Sequence, residues 1–309
     1  MKVAVVGAEA LGLLFAGWLA RAGQEVTLFD FDGWAIAAVE HEGVQIVGED
    51  DVLRPVPVRV TTEAATVGEV DLALVVVRYY ETAEAIEAAR PLIGPDTAIL
   101  TLQTGWGNAA TIGELVGEGR VLAGVTDHRA ERLGASIVQH AASGMTYVGE
   151  LDGRLTGRLE RVVGLFEAAG IMARPTTEVA REAWSRLALQ ACALPVMALL
   201  DYRPGLLLEH DGTLKLMRGL LGETVAVTSA QGWGIDEEER WAALLGKLER
   251  GEWAHNPMRH DLDTRQRSDI DVLNGAVVAA GRRVGIPTPY NEAMLWLIRA
   301  QERRDDGVQ

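Results

Sequence analysis

Short apolar runs alternate with helix-period stretches through the first half of the chain. A strand from Lys2 to Val6, carrying Val3-Ala4-Val5-Val6, comes first, a helical period follows from about Leu11 to Ala22, and further apolar runs occupy Glu25 to Phe29, Asp71 to Val77 and Ala98 to Leu102. These runs are continuously apolar rather than alternating, the pattern of strands covered on both faces, and their spacing is that of crossover units on a parallel sheet. Val121 to Val125, Ser136 to Ala141 and Met145 to Gly149 follow, with glycine-bearing turns between them. They are expected to complete the sheet in antiparallel fashion. A helix is expected from about Asp152 to Ala169, closed by Gly170, and then a short extended piece, Ile171 to Arg174, ending at Pro175.

From Thr176 the strand signal gives way to long helical periods: Glu178 to Leu200, Asp211 to Gln231, Asp236 to Arg250, Asp269 to Val284 and Tyr290 to Arg303. The charged tail from Glu302 to Gln309 is expected to fray. The apolar stretch Met294 to Leu297 would serve either a homodimer interface or the core.

The turn after the first run reads Gly7-Ala8-Glu9-Ala10-Leu11-Gly12. This is the opening of a dinucleotide-binding unit with one position changed. In GxGxxG the first glycine makes a tight turn, the second admits the cofactor pyrophosphate to the backbone, and the third lets helix pack on strand. Here Glu9 takes the second place. Two like charges about 4 Å apart repel by roughly 4 kcal/mol at an effective dielectric near 20, so a carboxylate facing the pyrophosphate would oppose binding. One turned to solvent would merely complement the helix dipole. Asp30 closes the second run, where an acidic residue can take the adenosine ribose hydroxyls, and no basic residue follows in Phe31-Asp32-Gly33. Among NADP and NAD, that favours NAD. Arg78 ends the Asp71 to Val77 run and could face the nucleotide or form a surface ion pair. The fold is therefore read as α/β: a Rossmann-type doubly wound sheet over residues 1–175, then an all-helical domain for substrate and dimerisation over 176–309.

Composition narrows the partners. A net charge of −15 without a block of lysine and arginine argues against nucleic acid and anionic membranes, leaving small molecules. The single cysteine, Cys192, permits no internal disulfide and reads as a core residue, consistent with a reducing, cytoplasmic setting. With the first strand starting at once, no leader peptide is expected, and no histidine or acid cluster has metal-ligand spacing.

The chain resembles the ketopantoate reductases (2-dehydropantoate 2-reductases) over nearly its full length. The likeness is carried by Val3 to Gly12, Val75-Val76-Val77-Arg78 with Tyr80, Leu102-Gln103-Thr104-Gly105 with Gly107-Asn108, and Gly124-Val125-Thr126. It continues through His140, Gly149-Glu150, Gly170-Ile171, Trp184 to Leu200, Glu223, Met258 with Asp261, Asp269 to Asp271 with Asn274-Gly275, and Gly285 to Asn291. The resemblance implies an NADPH-dependent reductase in which Gly7, Ala8, Ala10, Leu11, Gly12, Asp30, Arg78, Gln103 and Thr104 meet the cofactor. It also implies a lysine that protonates the ketone oxygen, where this chain has Arg186. Arginine stays protonated, so it would stabilise an oxyanion without donating its proton. The family's substrate-binding asparagine after the fifth strand is Thr104, two asparagines four apart on a helix are Gln190 and Leu194, a serine is Pro257 beside Asn256, and a glutamate is shortened to Asp269.

These substitutions lead to the expectation of a 2-oxo acid, imine or related carbonyl other than ketopantoate, with a small anionic group held at Arg186 and Asp269 completing the catalytic pair. Arg186 as a plain surface arginine is the bland alternative. Two other functional readings stay open: a catalytically silent or regulatory small-anion-binding homologue, and a non-redox enzyme using Asp269 with His260. His260 is a candidate proton donor, and His128 with Asp127 a candidate crevice lining.

Overall fold

The computed structural model describes residues 1–31, 33–48 and 55–303. Asp32 and the tail beyond Arg303 lie outside the described residues. The chain forms two compact units, one of residues 1–103 with 108–179 and one of 104–107 with 180–309. The boundary expected at 175/176 thus compares with one at 179/180, and Thr104 to Gly107 groups with the helical unit.

The first unit contains β1 (Lys2–Val6), α1 (Ala10–Arg21), β2 (Glu25–Phe29), α2 (Gly33–Glu42), β3 (Gln45–Val47), β4 (Arg59–Thr61), β5 (Leu72–Val75) and α3 (Thr82–Ala88). It continues with β6 (Ala98–Thr101), α4 (Asn108–Val116), β7 (Val121–Thr126), β8 (Arg129–Arg132), β9 (Ile137–Ala142), β10 (Thr146–Glu150), α5 (Gly157–Ala168) and β11 (Ala173–Pro175). Eight strands make the main sheet in the order β11-β10-β7-β6-β5-β1-β2-β4. All neighbours are parallel except β10 against β7. The central strands β1, β5 and β6 are apolar at every position but Lys2 and Thr101 because both faces are covered. Val3, Val5, Leu72, Leu74 and Leu100 feed one core, and Ala4, Val6, Ala73, Val75 and Ile99 feed the other.

Ser136 to Ala141 does not extend this sheet. The strand that forms there, β9, lies in a separate sheet of order β3-β9-β8, parallel to β3 and antiparallel to β8. The reason is a partner across the chain: Ile46 of β3 is buried against α1, and a Cβ at Gly17 would sit 2.9 Å from its Cδ1. The small residue on α1 therefore makes room for a second layer of strands. The helix expected from Asp152 starts at Gly157, because Gly153 turns the chain at φ +75° and the Thr156 hydroxyl accepts the Leu159 amide as an N-cap.

The second unit is helical: α6 (Val179–Leu200, whose first residue closes the first unit), α7 (Asp211–Ala230), α8 (Glu237–Glu249), α9 (Pro257–Asp263), α10 (Asn274–Val284) and α11 (Pro289–Glu302). By length and composition α6 could cross a membrane, yet 72% of its most apolar window is buried within the protein. It is the central core helix, and Cys192 is fully buried in it. The helix expected from Asp269 breaks. Ser268 caps a 3-10 turn over Asp269–Asp271, Leu273 leaves helical geometry, and α10 begins at Asn274. Asn274 is fully buried, and its amide donates to Ala191 O and Asn291 Oδ1. Asn291 in turn donates to Glu223, whose carboxylate also accepts the Tyr290 and Asn291 backbone amides at the start of α11. On α11, Met294 and Leu295 close the core while Trp296 and Leu297 are exposed.

Candidate active site

The glycine turn is built by close approach. Gly7 has φ +112°, its amide donates to Phe29 O, and an added Cβ would lie 2.8 Å from Val77 Cγ1 and 3.0 Å from the Val77 amide nitrogen. A Cβ on Gly12 would lie 2.0 Å from Gly7 O. Both positions therefore require glycine, the first for its backbone angle and the second for contact between helix and turn. Glu9 is different. It sits at φ −67°, ψ 172°, which any residue adopts; its side chain is exposed and makes no capping bond. The amides of Ala10, Leu11 and Gly12 fall in the first turn of α1, ahead of the bond from Leu13 N to Glu9 O, where no acceptor exists within the helix. Donors and a helix dipole are thus presented at the carboxyl edge of β1.

Acidic side chains surround this turn. Asp30 Oδ2 accepts the Ala8 amide at 2.5 Å, tying the end of β2 to the glycine turn. Burial raises the Glu81 carboxyl above the usual carboxylate range, a bond from the Arg78 backbone opposes that shift, and the charges of Glu9 and Asp30 reinforce it. Arg78 supplies the local cation, with its guanidinium 5.9 Å from the Tyr80 ring centre. Gln103 is committed to the scaffold: its amide donates to Val77 O and Thr82 Oγ1, and its oxygen accepts from Thr101. The residues fit a dinucleotide at the backbone level, with an acidic rim that a phosphate must tolerate.

In the helical unit, Arg186 and Gln190 lie on α6, half-buried and buried respectively. Leu194 is 2% exposed and belongs to the core; its carbonyl accepts Asn256 Nδ2 at 2.8 Å. Asn256 caps α9 through Met258 N, and Pro257, the first residue of that helix, is exposed. Asp269 is half-buried in its 3-10 turn. Thr104 opens the segment Thr104–Gly107, which packs on the residue after that turn: Trp106 N donates to Val272 O, and a Cβ at Gly105 would lie 2.4 Å from the same oxygen. Local packing thus brings Thr104 and Asp269 onto neighbouring segments, and joins Leu194 to Asn256. His260 is exposed on α9.

His128 is not a crevice residue. It is 6% exposed, edge-on to Trp18 and Phe15, and its Nδ1 lies 3.1 Å from His140 Nε2. Tertiary pairing of the loop after β7 with β9 and α1 buries it, which adjacency in sequence to an exposed aspartate gave no sign of. Among the described residues no group of three or more histidine, cysteine, aspartate or glutamate side chains is arranged for a metal ion.

The model of the family described as "Ketopantoate reductase PanE/ApbA" matches residues 3–153, and that of its C-terminal part matches residues 178–302. The chain belongs to the ketopantoate reductase family. It is 31% identical to the 2-dehydropantoate 2-reductase of Halobacterium salinarum over 306 residues, 98% of this chain and 99% of that one. It is 27% identical to the enzyme of the same name from Pyrococcus horikoshii, covering 99% of each. The crystal structure of the family member from Ralstonia eutropha JMP134 superposes with a TM-score of 0.91 at 29% identity, covering 99% of this chain and 100% of that one. A D-mandelate dehydrogenase solved with NADH and anilino(oxo)acetate shares the fold, with a TM-score of 0.91 at 20% identity and coverage of 98% and 99%. As a ketopantoate reductase family member the chain is an NAD(P)-dependent oxidoreductase of the reductase and dehydrogenase type.

Proposed function

We propose that this protein reduces a 2-oxo acid, or a related carbonyl or imine, other than ketopantoate. The observation that carries the reading is the pair of contacts at Gly7 and Gly12, which hold the first turn of α1 against the ends of β1 and β5 with its amides open to a pyrophosphate. The same turn is ringed by Glu9, Asp30 and Glu81, which is the one feature favouring a silent anion-binding homologue. On Asp30 alone the dinucleotide would be NAD; that carboxylate is already bonded to Ala8, so the choice rests on what else lies at this end of the sheet.

When bound, a reduced nicotinamide supplies the hydride. The chain's own contribution is electrostatic and positional. Arg186 keeps its charge at any working pH and can stabilise the substrate oxygen as negative charge develops there, while water delivers the proton. Its planar fork also suits a bidentate carboxylate. Asp269 would be its acidic partner in the reaction, and Thr104, on the segment that packs on Val272, would offer a hydroxyl to the substrate. Leu194, an apolar core residue where the family pattern has an amide, removes a hydrogen bond that a hydroxylated side group would use.

The test is a panel of 2-oxo acids, ketopantoate included, assayed with NADH and NADPH. The expected result is higher kcat/KM for an acid with an apolar side group than for ketopantoate, and loss of at least a hundredfold in Arg186→Ala. A preference for ketopantoate refutes the substrate reading, unaltered turnover in Arg186→Ala refutes the role of the arginine, and failure of both dinucleotides to bind refutes the oxidoreductase reading.

A further inference from the structure

Helix α6 carries a proline in its interior, Pro195, and with it a fault that the fold repairs from outside. In an unbroken helix the carbonyl of residue 191 accepts the N–H of residue 195. Proline has no N–H, and its ring crowds that carbonyl. The Ala191 carbonyl is met instead by a side chain from another helix: Asn274 Nδ2 donates to it at 3.1 Å. A carbonyl only accepts, so the amide nitrogen, and not the amide oxygen, must face it. The same nitrogen donates to Asn291 Oδ1 at 3.0 Å, and Asn274 Oδ1 is left buried without a hydrogen-bond partner. That is a cost an apolar filler at this position would avoid, so the two donated bonds are what the asparagine is there to make. It is backed in turn by Asn291, whose Nδ2 donates to Glu223 Oε2 at 2.7 Å and to Leu220 O at 3.3 Å.

Ala191 directly follows Gln190 and lies five residues beyond Arg186. Asn274 opens α10, directly after the break at Leu273 that ends the segment carrying Asp269. One fully buried side chain thereby joins the helix of the candidate arginine to the segment of the candidate acid. The rest of α6 is tied elsewhere: Leu194 O accepts Asn256 Nδ2 and Ala198 O accepts Arg259 Nη1, both from the α9 region. Resting on the 2-oxo acid reading above, we infer that Asn274 is a positioning residue for the reaction. Through the carbonyl that Pro195 leaves open, it fixes the stretch of α6 bearing Arg186 and Gln190 relative to the turn bearing Asp269. Without it that carbonyl has no donor, and the first part of α6 can tilt at the proline. A displacement of about 1 Å at a charge-stabilising group costs up to about a hundredfold in rate.

The experiment measures kcat/KM for the best 2-oxo acid of the panel, and the dinucleotide dissociation constant, for Asn274→Ala in three backgrounds: wild type, Arg186→Ala and Pro195→Ala. Each pair is compared at a temperature where circular dichroism shows both members folded. In the wild-type background kcat/KM should fall at least tenfold while dinucleotide affinity stays within twofold. In Arg186→Ala the same change should cost less than threefold, because the group being positioned is gone. In Pro195→Ala, where residue 195 supplies its own N–H to the Ala191 carbonyl, it should again cost less than threefold. Unaltered kcat/KM in Asn274→Ala, or the same loss in all three backgrounds, overturns the inference and leaves the 2-oxo acid reading standing. If Asn274→Ala does not fold in the wild-type background, the Pro195→Ala pair decides, and a loss of tenfold or more there overturns the inference. If wild type reduces no 2-oxo acid, it is the reading of the reaction that fails. The positioning role then rests on calorimetry with oxamate, whose affinity Asn274→Ala should lower at least fivefold only where Arg186 is present; an equal or absent effect in both backgrounds overturns it.

Discussion

Acidification should loosen the first unit through one buried imidazole. His128 Nδ1 accepts the Gly144 amide at 3.3 Å, so its proton resides on Nε2 and His140 must donate to the same Nδ1. Protonating His128 would abolish the Gly144 bond, reverse the roles in the His140 contact, and leave a cation beside Phe15 and Trp18. Burial, reinforced by the charge of His140, accordingly lowers its pKa from 6.5 to about 4, against a weaker opposing pull from Asp127. The depressed group takes up its proton in the unfolded chain first, so stability is complete above about pH 7 and falls as pH drops through 6.5 toward 4. Between pH 7.5 and 5.5 this single group removes about 1.3 kcal/mol, a value nearly independent of how far below 5.5 the folded pKa lies. Urea unfolding followed by circular dichroism at those two pH values, on wild type and His128→Phe, isolates it. The variant should be about 1 to 2 kcal/mol less stable than wild type at pH 7.5, because the Gly144 amide loses its acceptor, and that deficit should shrink by the amount above on going to pH 5.5. Should two transitions appear, the one in which β8 and β9 unfold is the relevant one. Parallel pH dependences for the two proteins would refute the buried neutral imidazole.

Other outcomes follow from the glycine turn and the helical core. Gly12→Ala places a methyl 2.0 Å from Gly7 O and should weaken dinucleotide binding by at least tenfold, measured by tryptophan fluorescence. Glu9→Gln should tighten binding about threefold to tenfold at low salt and less at high salt, since the carboxylate is exposed and screened; no change would place its charge away from the phosphates. Because burial and its acidic neighbours raise the Glu81 carboxyl, binding of the anionic cofactor should strengthen as pH falls through that raised value, and Glu81→Gln should flatten that part of the profile. Asn274→Ala leaves Ala191 O and Asn291 without their buried partner and should cost about 1 to 3 kcal/mol in thermal or chemical unfolding.

Most of the scaffold was legible from local pattern. The runs at Lys2 to Val6 and Glu25 to Phe29 appear with the expected ends, and the expected helices after Thr176 fall within a residue or two of their periods, except the one that breaks at Leu273; the short α9 has no counterpart among them. The three-residue strands β3 and β4 and the short β8 carried too few positions to show a period, and β9 was assigned to the wrong sheet because its partner β3 lies about ninety residues earlier. At the site, the need for glycine at positions 7 and 12 was readable, whereas the engagement of Gln103 with Val77 and Thr82, and the burial of His128, were not.

The sequence by itself determined a parallel sheet with a nucleotide turn, a helical second half and family membership, because strand and helix periods and turn residues act over distances of a few positions. The tertiary structure alone decided which side chains would be spent on the scaffold and which would be offered outward. It sent Glu9 to solvent, bonded Asp30 to the Ala8 amide, and laid Arg132 over Trp34. Such choices depend on contacts between segments far apart in the chain, whose energies are set by packing and burial and leave no local signature in the order of residues.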